Sequence, residues 1–112
     1  MKNKTTIALI DVISRLLNPL IRRDLDAEQF GLVSITGIRV SADGSFADID
    51  ISAWQNAEDL PAEWEKHIYA WQQVLNKNLA RRVVPKLRFH LSEYGDLIAQ
   101  IHHEMRPGKF SL

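Results

Sequence analysis

The chain has 112 residues, of which 46% are hydrophobic and 25% charged, and these proportions are typical of one globular domain spanning 1–112. Fourteen basic residues balance fourteen acidic residues, and the absence of cysteine excludes disulfides, thiol catalysis and zinc held by thiolates. No run reaches the roughly 18 apolar residues of a membrane span, so we expect a soluble, cytoplasmic protein with no membrane partner.

The first predicted element is a helix over about 5–25. Its apolar residues recur at spacings of three and four, which places them on one helical face. Pro19 lies inside this pattern and has no backbone N–H, so a kink or a break is expected there. The apolar face consists of Ile10, Ile13, Leu17, Leu20 and Ile21.

Two strands joined by a tight turn are predicted next, over 30–40 and 46–54. The alternation of the first strand changes phase at Gly37, which indicates a bulge. The Asp-Gly pair within 41–45 favours the positive φ angles of a hairpin turn. The second strand alternates strictly, so we expect the hairpin to have one face toward water, carrying Asp48, Asp50 and Ser52.

A long helix over 56–82, a third strand over 83–91 and a last helix over about 94–105 complete the predicted order α-β-β-α-β-α. Acidic residues and Pro61 mark the N-terminus of the long helix. Three strands with the helices on one face of the sheet predict an α+β fold, a two-layer sandwich. The apolar stripe of the long helix is Trp64, Ile68, Trp71, Leu75 and Leu79, which assigns both tryptophans to the core.

The balanced total charge conceals two blocks of opposite sign. Ten acidic residues and one basic residue occur from Asp24 to Glu65, whereas six basic residues and no acidic one occur from Lys66 to Ser92. On the long helix the second block forms a stripe opposite the apolar one, which suits the tracking of a phosphate backbone. That stripe is Lys66, Ala70, Gln73, Lys77 and Arg81, and Arg82, Lys86 and Arg88 continue the positive charge.

Two interpretations of these cations remain open from the residues alone. Either they bind an anionic partner, or they are neutralised inside the fold, where Lys86 and Arg88 would lie opposite Asp48 and Asp50 on a neighbouring strand. Trp54, at a strand end, is assigned either to edge packing or to stacking on a nucleic-acid base. The alternative function is a protein-interaction module without a nucleic-acid role, in which the acidic and basic faces engage another protein.

No constellation of residues indicates catalysis or a cofactor. His102 and His103 are adjacent, so on a helix their imidazoles diverge by about 100° and do not converge on one metal ion. The sequence contains no glycine-rich phosphate loop, and no serine has a histidine and an acid at a suggestive spacing. We therefore expect a protein that is not an enzyme and that holds no metal.

Two long segments carry a family resemblance: LIRRDLDAEQFGLVSITGIRVSADGSFADIDIS, at 20–52, and LNKNLARRVVPKLRFHL, at 75–91. Their order and spacing resemble the ribosome-binding factor A family over about 10–105. The resemblance implies a type II KH-like fold with the order α-β-β-α-α-β and no catalytic activity. Many members of the family have an Ala-x-Gly kink that splits the second long helix. Here 67–69 read His-Ile-Tyr, so that pattern is absent.

The resemblance also implies binding to immature small ribosomal subunits, near the decoding region of the small-subunit rRNA, and assistance to late folding or processing of that RNA. The region that it identifies as facing nucleic acid coincides with the basic block. We therefore expect a monomer whose partners are small-subunit rRNA and the free small ribosomal subunit. The residues expected to contact phosphate are Lys77, Arg81, Arg82, Lys86 and Arg88, with Lys66, Arg22 and Arg23 as further candidates, and Asn76 and Asn78 are expected to bond sugar or base edges.

Overall fold

The computed structural model describes residues 4–92, which form a three-stranded sheet and two long helices that pack against it. The predicted last helix over 94–105, with His102 and His103, lies outside the described residues. The elements are α1 (Lys4–Asp24), α2 (Ala27–Phe30), β1 (Val33–Val40), β2 (Phe46–Ala53), a 3-10 turn (Ala57–Asp59), α3 (Leu60–Asn78) and β3 (Lys86–Leu91).

The sheet is mixed and has the strand order β1-β2-β3. β1 pairs with β2 in an antiparallel hairpin, whereas β2 pairs with β3 in parallel. Parallel neighbours need a long crossover, and the chain between β2 and β3 supplies it with α3. The parallel register places Lys86 opposite Phe46 and Arg88 opposite Asp48.

The predicted bulge of the β1–β2 hairpin is confirmed, and the positive φ predicted for the Asp-Gly pair occurs at Gly44 but not at Asp43. The register shifts between Ile35 and Gly37, as expected for a bulge at the glycine. In the turn, Gly44 has a φ of 75°, a conformation that glycine adopts without strain. Hydrogen bonds from the hydroxyl and backbone N–H of Ser45, and from Ser41, lower the pKa of Asp43 to about 2.

The core lies between one face of the sheet and the helices α1 and α3. The inner face of β2 is fully buried, and its outer face is half-buried, which confirms the predicted alternation. The predicted core positions of Trp64 and Trp71 are also confirmed, because both indoles are buried against Phe89, with ring centroids 5.8 and 5.3 Å away. The inner-face residues of β2 are Ala47, Ile49, Ile51 and Ala53.

Of the kink or break predicted at Pro19, the break is wrong, because α1 continues through the proline. Pro19 is exposed, so the carbonyl that loses its helical donor lies on the water side of the helix. Leu17 and Leu20 are buried on either side of the proline and hold the helix against the core.

The short helix α2 was not predicted, and β1 begins three residues later than the predicted strand start at 30. The carboxylate of Asp26 caps α2 by accepting a 2.9 Å hydrogen bond from the backbone N–H of Glu28. Phe30 is fully buried, and Gly31 follows it with a φ of 67°. A Cβ at Gly31 would lie 3.1 Å from the Cβ of Trp54, so the chain needs glycine there.

The long helix ends at Asn78, and not at 82 as predicted. Leu79 is already extended, with φ −102° and ψ 112°, and the Asn78 side chain donates a 2.7 Å hydrogen bond to the Val74 carbonyl in the last turn. Val84 directly precedes Pro85, and helical conformation is disfavoured for a residue in front of a proline. α3 is continuous through 67–69, where the Ala-x-Gly pattern of the family is absent.

One hydrogen bond ties the end of α1 to the middle of α3. The indole N–H of Trp71 donates a 2.7 Å bond to Oδ2 of Asp24. Arg23 forms a two-pronged ion pair with the same carboxylate, at 2.8 and 3.0 Å. The hydrogen bond from Arg23, helped by that from Trp71, holds the pKa of Asp24 below its ordinary value against the opposing effect of burial.

We predict that Trp71→Phe lowers the free energy of unfolding at pH 7 more than Trp64→Phe does. Both variants remove similar buried area from the same helix, but only Trp71 donates a hydrogen bond to a carboxylate, a bond worth about 1.5–3 kcal/mol. Urea denaturation of both variants measures this difference. Equal losses would contradict a stabilising role for the bond between Trp71 and Asp24.

Candidate nucleic-acid interface

Residues 79–86, which are the segment between α3 and β3 together with the first residue of β3, carry most of the predicted phosphate ligands, and we call them the basic connector. Arg81, Arg82 and Lys86 are exposed on it, and Lys77 is exposed in the last turn of α3 just before it. Within residues 4–92 none of these four cations forms an ion pair. The connector therefore carries positive charge that no carboxylate of residues 4–92 compensates through an ion pair.

The connector is fixed at both of its ends. Leu79 and Val84 pack against the core, and Pro85 is buried. At the end of the connector that enters β3, the backbone N–H of Lys86 donates a 2.9 Å hydrogen bond to the carbonyl of Ser45 in the β1–β2 turn. The guanidinium of Arg81 lies over the same turn, 3.4 Å from the place of a Cβ on Gly44.

A single side chain of α3 holds the outer edge of β3. Gln72 donates a 3.0 Å hydrogen bond from Nε2 to the carbonyl of Pro85, and its Oε1 accepts a 2.8 Å bond from the backbone N–H of Leu87. β3 is an edge strand, so strand pairing leaves these two backbone groups without partners. Gln72 thus provides the hydrogen-bond partners of both backbone groups at the edge of β3 and fixes the place where the connector enters the sheet.

The outer face of the sheet is neutralised by ion pairs. Arg88 donates two bonds of 2.9 Å to the carboxylate of Asp48, and its guanidinium lies 4.1 Å from the centroid of the Phe46 ring. His90 lies 2.8 Å from the same carboxylate through Nε2. These hydrogen bonds, first that of Arg88 and then that of His90, lower the pKa of Asp48 to about 2.

The interpretation that the cations are neutralised within the fold is therefore correct for Arg88, whereas Lys86 forms no ion pair among residues 4–92. The register is offset from the predicted one, because Lys86 faces Phe46 and Arg88 faces Asp48. Asp50 is occupied by Arg39 across the hairpin, through hydrogen bonds to both guanidinium Nη atoms. Arg88 is held in the sheet, whereas Lys86 keeps its charge unpaired among the described residues.

Three other predicted ligands lie away from the connector or are already paired. Lys66 pairs with Glu63 at 2.9 Å, and Arg23 pairs with Asp24. Arg22 lines a shallow apolar recess with Val33, at the start of β1. Val33 pairs with one end of β2 and the connector enters at the other, about 23 Å along the strand, so Arg22 belongs to a different region.

The predicted asparagines are exposed beside Lys77, with part of their hydrogen-bonding capacity in use. Asn76 accepts a 3.2 Å bond from Gln72, and Asn78 donates to the Val74 carbonyl. Each retains one polar side-chain atom that has no partner in the described part of the chain. The predicted place of Arg81 on the helical stripe is wrong, because α3 ends at Asn78. RNA contact by any of these residues stays a prediction.

The sequence analysis missed Gln72, the residue that positions the connector. Its only sequence signal is its place next to Trp71 on the margin of the apolar stripe, where a glutamine would ordinarily be assigned to a solvated helix surface. Among residues 4–92 no three His, Asp or Glu side chains are grouped so as to hold a metal ion. No helix in that range has the length and apolar character needed to cross a bilayer.

Comparison with known proteins gives close relatives of one kind, although no family model matches the chain. It is 40% identical over 89 residues to ribosome-binding factor A of Pseudomonas fluorescens (strain Pf0-1), which covers 74% of this chain and 66% of the relative. It is 30% identical over 101 residues to ribosome-binding factor A of Desulforamulus reducens, which covers 85% of this chain and 84% of the relative. The chain thus spans about two thirds of the length of the Pseudomonas relative.

Solved structures show the same fold. The crystal structure of ribosome-binding factor A from Thermus thermophilus matches with a TM-score of 0.66 at 21% identity, covering 77% of this chain and 93% of that one. A homology model of the Thermus thermophilus protein, fitted into a cryo-EM map of a 30S complex with that factor, matches with a TM-score of 0.65, the same identity and the same coverage. The predicted α+β, KH-like fold is confirmed.

We predict that Gln72→Ala destabilises the protein by about 1–3 kcal/mol, because it leaves the Pro85 carbonyl and the Leu87 N–H at the strand edge without their partner. Gln73→Ala is the matched control, since the side chain of Gln73 forms no hydrogen bond among residues 4–92. Urea denaturation measures the stability, and amide exchange at Leu87 reports the edge directly. Unchanged exchange at Leu87 would show that Gln72 does not hold β3.

We also predict that the stabilisation by Asp48 is lost in acid. Its pKa is about 2 in the folded protein, against an ordinary value of 3.8, so the contribution is nearly complete above pH 5 and mostly lost as the pH falls to 2. The free energies of unfolding of wild type and Asp48→Asn should therefore converge between pH 5 and pH 2. Glu65→Gln, which removes an exposed carboxylate without an ion pair in the described range, should leave stability unchanged. A constant difference for Asp48→Asn would contradict the prediction.

Proposed function

Because the chain belongs to the ribosome-binding factor A family, we propose that it binds small-subunit rRNA through the basic connector and Lys77. The observation that carries the proposal is the group of four exposed cations that have no ion pair within residues 4–92. They are Lys77, Arg81, Arg82 and Lys86. Each would contact phosphate, and release of counterions would drive the association.

The neutralised outer face of the sheet supports this proposal electrostatically. Asp48 and Asp50 lie close to the strand that carries Lys86, and unpaired they would repel phosphate. Arg88 and Arg39 compensate them within the fold. A phosphate backbone that approaches the connector therefore meets cations beside a surface of little net charge, which favours backbone contact there over the rest of the sheet.

We infer that the protein acts by binding, in the cytoplasm, as a monomer and without a cofactor. Its partner would be the immature small ribosomal subunit, and occupation of the rRNA would assist late folding or processing of that RNA. The similarity to a Thermus thermophilus protein placed in a 30S complex supports a subunit-bound state. The contacts formed in this way would position RNA and would need no chemical step by the protein.

Sedimentation through a sucrose gradient tests the proposal. We expect the tagged protein to migrate with free small subunits at low salt and to leave them at high salt, because phosphate contacts weaken as salt rises. Protein that stays at the top of the gradient at low salt would overturn it. A change of oligomeric state on reversing the charge of Arg81 and Arg82 would instead favour the protein-interaction alternative.

The salt dependence of binding to protein-free small-subunit rRNA provides the quantitative prediction. Four phosphate contacts give a slope of about −3 for log affinity against log salt concentration. Arg81→Gln/Arg82→Gln should weaken binding and reduce the slope to about −1.5, since two contacts remain.

Arg15→Gln is the matched control for this measurement. It removes an exposed guanidinium that pairs with Asp11 on α1 and has no place in the connector. The control should leave both the affinity and the slope unchanged. A control effect half as large as that of the double variant, in proportion to the one charge removed instead of two, would show that total charge, and not the connector, governs binding.

A further inference from the structure

Tyr69 is the most exposed large hydrophobic side chain in the described part of the chain. It lies in the middle of α3 and is 75% exposed, whereas Trp64 and Trp71 on the same helix are buried. Within residues 4–92 its ring has no stacking partner and its hydroxyl has no hydrogen bond. The core therefore does not account for an aromatic residue at this position.

The surroundings of Tyr69 connect it with the basic connector. On an α-helix, Asn76 follows Tyr69 by nearly two full turns, so it lies almost in line with the ring about 10 Å along the axis. Lys77 lies one residue further, in the last turn. The last carboxylate of α3 is Glu65, one turn before Tyr69, so the helix surface from the ring to the connector carries no negative charge.

The neighbours of the ring leave its faces accessible. Ala70 is exposed and has only a methyl group, and Gln73, one turn onward, is half-buried. Lys66, one turn earlier, is held by its ion pair with Glu63. An exposed aromatic ring next to a cationic track is the combination by which proteins hold single-stranded nucleic acid, with the base on the ring and the phosphates on the cations.

We propose that Tyr69 is a base-stacking site, on which an unpaired base of the RNA packs while Lys77 and the basic connector hold the adjoining phosphates. This inference rests on the proposed RNA-binding function and deepens it, because it identifies an unpaired stretch as the ligand. Stacking on a π-face tolerates any base, so the site selects single-stranded RNA and not a particular sequence.

The test compares Tyr69→Ala, Tyr69→Leu and Tyr69→Phe in binding to protein-free small-subunit rRNA at several salt concentrations. Loss of one stacked base weakens binding by about 5- to 150-fold. We expect this loss for Tyr69→Ala and most of it for Tyr69→Leu, which keeps an apolar side chain without a π-face. Tyr69→Phe should bind within about twofold of wild type, since it retains the ring.

The salt slope separates stacking from charge. Stacking releases no counterions, so Tyr69→Ala should keep the slope of the wild type, in contrast to the double variant of Arg81 and Arg82. Val12→Ala, which removes an exposed apolar side chain from α1, is the matched control and should bind as wild type does. All Tyr69 variants should stay close to the wild-type melting temperature, because the side chain is 75% exposed and little buried area is lost.

Three outcomes would overturn the inference. One is wild-type affinity of Tyr69→Ala for the RNA, which would leave the proposed function intact. The second is equal weakening by Tyr69→Phe, which would assign the effect to the hydroxyl. The third is weaker binding of Tyr69→Ala to intact subunits but not to protein-free rRNA, which would assign the ring to a protein contact. Failure of the wild type itself to bind RNA would instead refute the proposed function.

Discussion

β3 runs parallel to β2, and a parallel neighbour is reached only by a long connection, whereas an antiparallel one needs a short turn. In this chain the connection contains α3, which buries two tryptophans against Phe89 before the chain enters the basic connector. The parallel register therefore decides both which helix closes the core and at which end of the sheet the exposed cations lie. Core packing and the presentation of the connector depend on the same pairing.

The same register gives neighbouring cations different electrostatic roles. Lys86 and Arg88 point to the same face of β3, but only Arg88 faces a carboxylate. A guanidinium matches the two oxygens of Asp48 and also lies over an aromatic ring, so arginine suits the paired position better than lysine would. The fold thus uses one cation to neutralise its own sheet and leaves the other accessible, a distinction that total charge conceals.

The features that were predictable from the sequence depend on residues close together along the chain. Gly37 indicates its bulge by a change of alternation, and the helical spacing of Trp64 and Trp71 assigns them to the core. The end of α3 was not predictable in this way, because Leu79 continues the apolar spacing although its backbone is extended and its side chain packs on the core.

The composition of the candidate site was predictable only in part, since it depends on distances in space. The basic block of the sequence contains the exposed cations of the connector, but the separation of Arg22 from them follows from the length of β2. The pairing of Arg88 was one of two open interpretations, and the strand register decides it. Gln72 had no distinguishing signal, because its role exists only once β3 is placed beside α3.

The occupied edge of β3 also bears on self-association. A free strand edge is a template on which a second chain can add a strand, and three-stranded sheets have two such edges. On β3, the Gln72 side chain takes the carbonyl and N–H that an incoming strand would need first. On β1, the bulge at Gly37 breaks the regular spacing of donors and acceptors. The groups that shape the candidate interface and the hairpin therefore also protect the sheet against edge-to-edge aggregation.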